Sequence, residues 1–410
     1  MHFSKRTNWN VEESELARAH RERVEAGLPV ADLTASNPTR CGFAYPADLL
    51  DALTDPRALD YDPQPLGMLE ARKAVCRYYR AHRVVVDPGQ IVLTTSTSEA
   101  YSYLFRLLCD PGDEIVALQP GYPLFDFLAG LDDVKLGAAP LVYDEGWQIE
   151  FGELKRSLNG RTRAIVIVHP NNPTGHFTKP WEKQRLAELC QERGLALIVD
   201  EVFLDYVEAG SEGAREQGNE KTGSEKVGSF AAGLEGVPVF VVSGLSKIAG
   251  LPQMKAAWIV ATGPETTVAM SRLEVIADTF LSMNAPVQGA LPRWLEASQG
   301  IQEQIRTRVK TNLAVLDREL GRAPGLSRLK VEGGWYAVLR IPALEPDDAT
   351  VLKLLERGVW VHPGHFFGMG PSGWLVVSLL GVESEFSTGV TTLINYFLTH
   401  QESNNSGDRP

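Results

Sequence analysis

The sequence predicts an α/β protein: a large domain built on a mostly parallel β-sheet covered on both faces, followed by a smaller domain. Three observations carry this. Short apolar, β-branched runs at 164–168 and 239–242 have the composition of strands buried on both sides. Runs of this kind alternate with helix-forming segments, as parallel strands joined by crossovers require. The turns just past them hold distinctive residues, Ser96 to Ser98, Tyr122, Asn172, Asp200 and Lys247, at the carboxyl ends where ligands of such sheets collect.

A chain of 410 residues can bury a large core and is long enough for one large and one smaller domain. With 44% apolar and 22% charged residues it has the composition of an ordinary soluble protein. The net charge of -12 argues against nucleic acid or an anionic membrane surface as partner. The four cysteines, Cys41, Cys76, Cys109 and Cys190, form no C-x-x-C pair and no metal-ligand spacing with the eight histidines, so no metal is expected. Without a secretory leader or an apolar run of membrane-spanning length, a cytoplasmic chain with reduced thiols is expected.

In order, the charged stretch 11–27 closes with Gly27 and Pro29 and reads as an N-terminal helix. Leu33-Thr34-Ala35-Ser36-Asn37-Pro38-Thr39-Arg40 is a strand-like piece running into a turn. Arg40 can present a planar fork to a carboxylate there, although an early-loop arginine is more often a surface charge. Tyr61-Asp62-Pro63-Gln64-Pro65-Leu66-Gly67 is a rigid turn before a helix at 68–82, and a strand at 90–94 leads into Thr95-Ser96-Thr97-Ser98-Glu99-Ala100 and a helix at 101–108. Strand, hydroxyl-rich turn and helix can hold a phosphate, and an ordinary Ser/Thr cap has the same spelling.

A strand at 113–118 ends in Gln119-Pro120-Gly121-Tyr122-Pro123, which fixes the direction of one aromatic. A strand pair is expected within 134–143, a helix at 151–158, and the strand 164–168 runs into His169-Pro170-Asn171-Asn172-Pro173-Thr174-Gly175. A helix at 181–193 and a strand at 195–199 follow, the strand delivering Asp200-Glu201-Val202-Phe203. The polar, Gly-rich stretch 209–226 reads as a surface insertion. Beyond 258–260, a long helical segment at 265–310 leads to the second domain, with strand pieces at 329–331, 333–339 and 374–379, a helix at 347–357 and a polar tail.

Lys247 comes just after the strand 239–242 and the small pair Ser243-Gly244, where a backbone or ligand can approach closely. A lysine is usually a solvated surface charge. This one lies between Ser246 and an apolar, Gly-containing turn with no run of charge beside it. Desolvation in such a place lowers proton affinity and makes the amine a usable nucleophile.

Four short pieces then stand in one order: Asn171-Asn172-Pro173-Thr174-Gly175, Asp200-Glu201-Val202-Phe203, Ser243-Gly244-Leu245-Ser246-Lys247 and Gly333-Gly334. In this the chain resembles the class I/II, fold-type I pyridoxal-phosphate-dependent aminotransferases over nearly its full length. The resemblance implies an N-terminal helix and loop at 1–45 joining the small domain, a large cofactor-binding domain at 46–290, a C-terminal small domain at 291–400 and a flexible tail at 401–410. It implies that Lys247 forms the Schiff base with the cofactor and shuttles a proton, and that Asp200 pairs with the pyridinium nitrogen. Asn172 looks like the donor to the phenolic oxygen and Tyr122 like the ring-stacking aromatic. Ser96, Thr97 and Ser98 look like the phosphate turn, with Ser246 and Lys255 adding contacts. Tyr61 resembles the tyrosine that reaches the phosphate of a partner subunit, which implies a homodimer.

Three departures from the family pattern bear on chemistry. Lys255 stands where an arginine usually holds the phosphate, so the charge is kept and the bidentate fork is lost. Phe203 occupies the place of a tyrosine that bonds the phenolic oxygen. Val376 occupies the place of the arginine that clamps the substrate α-carboxylate, and a valine binds no carboxylate. Either another cation replaces it, Arg40 beside Asn37 in the N-terminal loop or Arg340, or the amino donor has no α-carboxylate.

The expected function is an aminotransferase passing an amino group from a small-molecule donor to a carbonyl acceptor. A lyase or decarboxylase on the same fold shares the cofactor residues and differs in the bond broken. An effector-sensing regulatory protein would need a DNA-binding module, for which the residues before Asp32 are too few.

Overall fold

The computed structural model describes residues 1–207 and 228–406; the insertion expected at 209–226 lies outside them. Its strands are β1 (Ala31–Asp32), β2 (Ile91–Thr94), β3 (Glu114–Gln119), β4 (Lys135–Tyr143), β5 (Trp147–Ile149), β6 (Thr162–Val168), β7 (Ala196–Asp200), β8 (Val239–Gly244), β9 (Ala257–Thr262), β10 (Ser327–Arg328), β11 (Tyr336–Arg340), β12 (Val359–Trp360), β13 (His362–Pro363) and β14 (Trp374–Ser378). Strands β2 to β9 form one eight-stranded sheet in the order β2-β9-β8-β7-β6-β3-β4-β5. Its centre, β8-β7-β6-β3-β4, is parallel. β9 runs against both of its neighbours, and β5 runs against β4.

The apolar runs are explained by burial on two faces. In β8, Val239 and Val241 join one core cluster while Phe240 and Val242 join another. Helices Leu69–Ala81 and Ala285–Leu320 pack on the first side, and Thr97–Leu108 and Thr266–Phe280 on the second. A separate four-stranded antiparallel sheet, β10-β11-β14-β13, belongs to the C-terminal part. Its strands alternate too: Tyr336, Val338 and Val376 face the large core, whereas Ala337, Leu339, Leu375 and Val377 enter a third cluster. The N-terminal segment is tied there as well, since β1 pairs with β12 and Leu16 and Leu33 enter that third cluster. The helix Ala285–Leu320 spans both parts, with Trp294 and Ile305 in the large core and Leu316 and Leu320 in the small one.

Local differences from the sequence expectation have local causes. Region 134–143 is a single strand rather than a pair, because the reversal comes after Tyr143, where Glu145 takes φ 53° and Asp144 N–H bonds the Gly146 carbonyl. The segment 265–310 is two helices, Thr266–Phe280 and Ala285–Leu320. Leu281 at φ 44° ends the first, and the Asn284 side chain caps the second by accepting from Val287 N–H. In the piece at 329–331, Leu329 N–H still bonds the Val338 carbonyl at 2.8 Å, and the chain then leaves the ladder, carrying Glu332 across to Lys179 and to the Phe177 N–H. The last helix, Glu383–Ser406, extends into the stretch read as a tail from 401, and residues 407–410 lie outside the described residues.

Two glycine motifs meet in the middle of the molecule. Gly175 takes φ +70°, and a Cβ there would lie 2.8 Å from the Gly333 carbonyl oxygen. Conversely, a Cβ on Gly333 would lie 2.7 Å from Pro170 Cγ and 3.0 Å from the Tyr206 carbonyl oxygen. Gly334 N–H bonds that same carbonyl at 2.9 Å. Three backbones from separate parts of the chain therefore touch where no side chain fits. Gly333→Ala is expected to destabilise the fold by about 1–3 kcal/mol through overpacking. Gly130→Ala, in the helix Phe125–Leu131 with nothing within 4 Å of its Cβ position, serves as the comparison without a clash and is expected to be unchanged or slightly more stable. Urea unfolding midpoints of the two variants check this.

Candidate active site

The carboxyl ends of β7 and β8, neighbours in the sheet, define the site. Asp200 is the last residue of β7 and is 6% exposed. Its Oδ2 accepts the Tyr101 hydroxyl at 3.0 Å and its Oδ1 accepts the Val202 N–H at 3.0 Å. Burial pushes its carboxyl up to about 6, against the pull of the Val202 N–H, the Tyr101 hydroxyl and the Lys247 charge.

Lys247 sits in a single helical turn, Leu245–Ile248, directly after β8. Gly244 at that junction is required by the next strand: a Cβ would lie 2.8 Å from Ala257 Cβ and 2.9 Å from the Ala256 carbonyl. The close approach expected from sequence is thus a backbone contact. The turn is held by Leu245 N–H on the Ala256 carbonyl at 2.9 Å and by the Tyr206 hydroxyl donating to the Lys247 carbonyl at 2.7 Å. The amine lies over two rings, 5.9 Å from the Phe203 centroid and 5.1 Å from that of Trp335. Burial draws its proton affinity below that of an ordinary lysine, with the Asp200 charge opposing.

Around this pair the other residues fall as follows. Ser96 caps the helix Thr97–Leu108, accepting from Glu99 N–H at 3.1 Å, so Thr97 and Ser98 form its first turn and Tyr101 the next. One helix thus carries both the hydroxyl turn and the phenol bonded to Asp200, and its N-terminal N–H groups and dipole favour an anion. Tyr122 is half-buried after β3, its ring edge-on to Phe125 at 5.6 Å, and its phenol is pushed up to about 12 by burial, by Asp200 and by Tyr336. Asn172 follows β6, and its Oδ1 is buried with no hydrogen-bond partner among the described residues. Phe203 is 2% exposed and meets Trp335 edge-to-face at 5.2 Å.

Ser246 is half-buried beside Lys247. Lys255 is exposed in a left-handed conformation, φ 50°. Val376 is fully buried on the face of β14 that meets the large core. Arg40 is exposed at the end of the short turn Pro38–Arg40, while the Asn37 side chain is occupied in capping it through Thr39. Tyr61 is 84% exposed, directed away from this chain's own core.

Sequence reasoning missed four aromatics: Tyr101, Tyr206, Trp335 and Tyr336. Trp335 and Tyr336 directly follow the paired glycines, a signal that was present. Tyr101 opens the apolar face of a helix and gives no sign of binding a carboxylate 99 residues away.

The family model for aminotransferase class I and II matches residues 49–388. The chain belongs to that family. It is a pyridoxal-phosphate-dependent aminotransferase. Among curated relatives, it is similar to a glutamate-pyruvate aminotransferase of Haemophilus influenzae, 25% identical over 401 residues, 93% of this chain and 95% of the relative. An alanine aminotransferase of Mycobacterium tuberculosis is 26% identical over 405 residues, 93% and 89% of the two chains. Among solved structures, the alanine aminotransferase of Pyrococcus furiosus shares the fold with a TM-score of 0.84 at 23% identity, over 97% of this chain and all of that one.

The residues of the site fit the family's cofactor. Asn172 carries a side-chain amide whose oxygen has no partner among the described residues, so the amide is free to turn its NH2 to an acceptor; the amine of Lys247 has no carboxylate bonded to it there, and the helix start at Thr97 provides an anion-binding end. The folded-state carboxyl of Asp200, at about 6, lies above the ordinary 3.8, so between these values the native chain holds a proton that the unfolded chain has released. Stability of the cofactor-free protein therefore falls as pH rises through that window, by about 3 kcal/mol. Asp200→Asn is expected to raise the urea midpoint of the cofactor-free protein above wild type at about pH 8 and to leave it unchanged below about pH 4, while weakening cofactor binding.

Proposed function

We propose that this aminotransferase passes an amino group from an α-amino acid to a 2-oxo acid, with Lys247 as the covalent anchor of its cofactor, and that it works as a cytoplasmic homodimer. The observation that carries this is the place of the Lys247 amine, set over the rings of Trp335 at 5.1 Å and Phe203 at 5.9 Å, bonded to no carboxylate among the described residues and drawn down in proton affinity by burial against the opposing charge of Asp200. Bound pyridoxal phosphate supplies the electron sink for the pair released at the substrate Cα. The chain's own residues do the rest. Asp200 keeps a proton on the ring nitrogen, Asn172 serves the phenolic oxygen, Tyr122 covers a ring face, and Lys247 carries the proton to and from Cα. The hydroxyls of Ser96, Thr97, Ser98 and Ser246, the helix start and Lys255 hold the phosphate.

The names of the alanine and glutamate-pyruvate aminotransferase relatives support amino and oxo acids as substrates. With Val376 neutral and buried, the substrate carboxylate falls to Arg40, exposed on a turn that Asn37 braces. The exposure of Tyr61 supports its role across a subunit interface, because a buried partner would otherwise be expected for a tyrosine in a rigid turn.

An absorbance screen of the yellow protein against amino acids and carboxylate-free amines tests the reading. Lys247→Ala is expected to lower amino transfer at least about 10³-fold. Arg40→Ala is expected to raise KM for amino acids about 10- to 100-fold, as loss of a charge-assisted hydrogen bond does, and to spare any activity on amines. Conversion by amines alone would overturn the Arg40 assignment, and a protein that takes up no pyridoxal phosphate would overturn the reading as a whole.

A further inference from the structure

Trp335 is completely buried, and its indole N–H has no hydrogen-bond partner among the described residues. An unsatisfied buried donor is destabilising, and a phenylalanine would avoid it while filling much of the same space. The ring is held by shape instead: it meets Phe203 at 5.2 Å and 80° and Tyr206 at 5.1 Å and 69°. Among the described residues its distinctive contact is with Lys247, whose Nζ lies over the indole ring at 5.1 Å and over the Phe203 ring at 5.9 Å. Both distances are within the reach of cation–π attraction, for which indole offers the strongest face.

We propose that Trp335, with Phe203 beside it, is a positioning residue for catalysis, an aromatic seat that holds the Lys247 amine whenever that amine is not bonded to the cofactor. This rests on the reading of Lys247 as the anchor. A lysine released from its bond regains four rotatable torsions, and among the described residues no carboxylate is bonded to Lys247. The two ring faces restrict where the ammonium rests, so that it stays near the substrate Cα and returns to one place at the end of the cycle. A phenol at 203 would add a hydroxyl to this seat, whereas Phe203 offers only its ring.

The other ionisable groups bearing on this amine act from separate elements. Asp200 at the end of β7 favours the charged form, Tyr101 and Tyr122 interact with that carboxylate, and Tyr206 bonds the Lys247 carbonyl rather than its amine. The seat adds to the pull of Asp200 against the desolvation that favours the neutral amine. Its removal therefore lowers the proton affinity of the free lysine.

The test uses the full-length protein loaded with pyridoxamine phosphate, in which Lys247 is not bonded to the cofactor. The pH dependence of Lys247 acylation by an amine-directed reagent, quantified on its peptide by mass spectrometry, gives the titration midpoint of that one lysine. Trp335→Leu is expected to lower the midpoint by about one unit, and Trp335→Phe by about half as much. A merely structural Trp335 would lower thermal stability or cofactor occupancy and leave the midpoint where it is, and equal midpoints in all three proteins would overturn the proposal. Should Trp335→Leu fail to fold, Trp335→Phe and Phe203→Leu decide the matter in the same assay. Loading that fails in wild type would instead count against the reading of the site itself, and so distinguishes the two.

Discussion

Asp200 and Lys247, groups of opposite charge, are withdrawn from water at the ends of two paired parallel strands, and much of the surrounding structure answers to that constraint. Burial drives each toward its neutral form, the carboxyl upward and the amine downward. A close ion pair would satisfy both and leave neither available for chemistry. Among the described residues they instead influence each other without an ion pair, and each has separate support: the Tyr101 hydroxyl and Val202 N–H for Asp200, aromatic faces for Lys247. Under the proposed function, the same two groups would serve the ring nitrogen and the carbonyl carbon of the cofactor.

Holding that arrangement requires close agreement between distant segments. The backbone contact among Gly175, Gly333 and the Tyr206 carbonyl brings the turn carrying Asn172, the segment after Asp200 and the loop carrying Trp335 to one point. The helix Ala285–Leu320 packs along the same junction and ties the large core to the small one. The site is therefore shared by the sheet ends and the C-terminal part.

Much of this was legible in the sequence, because two-sided burial leaves uninterrupted apolar runs and the residues that follow them are chemically distinctive. The run at 239–242 gave β8, and the small residues after it anticipated the close passage of β9 at Gly244. Strand direction was less legible: β9 is as apolar as its neighbours, and nothing in its composition marks it as antiparallel. Tyr101 and Trp335 were hidden for a different reason. Their roles depend on partners 99 and 88 residues away, and an aromatic in a core has the same spelling whether it touches a leucine or a lysine. The substitutions at Phe203 and Val376 could be read only as losses, and the rings gathered about the Lys247 amine became visible only in three dimensions.

We propose that Lys247, and no other lysine, bonds the cofactor. Borohydride reduction of the pyridoxal-phosphate-loaded protein, followed by peptide mapping, tests it directly. A single pyridoxyl group is expected on the peptide containing Lys247, absent from Lys247→Ala. A pyridoxyl group on Lys255 or another lysine, or a loaded protein in which none is trapped, would contradict it.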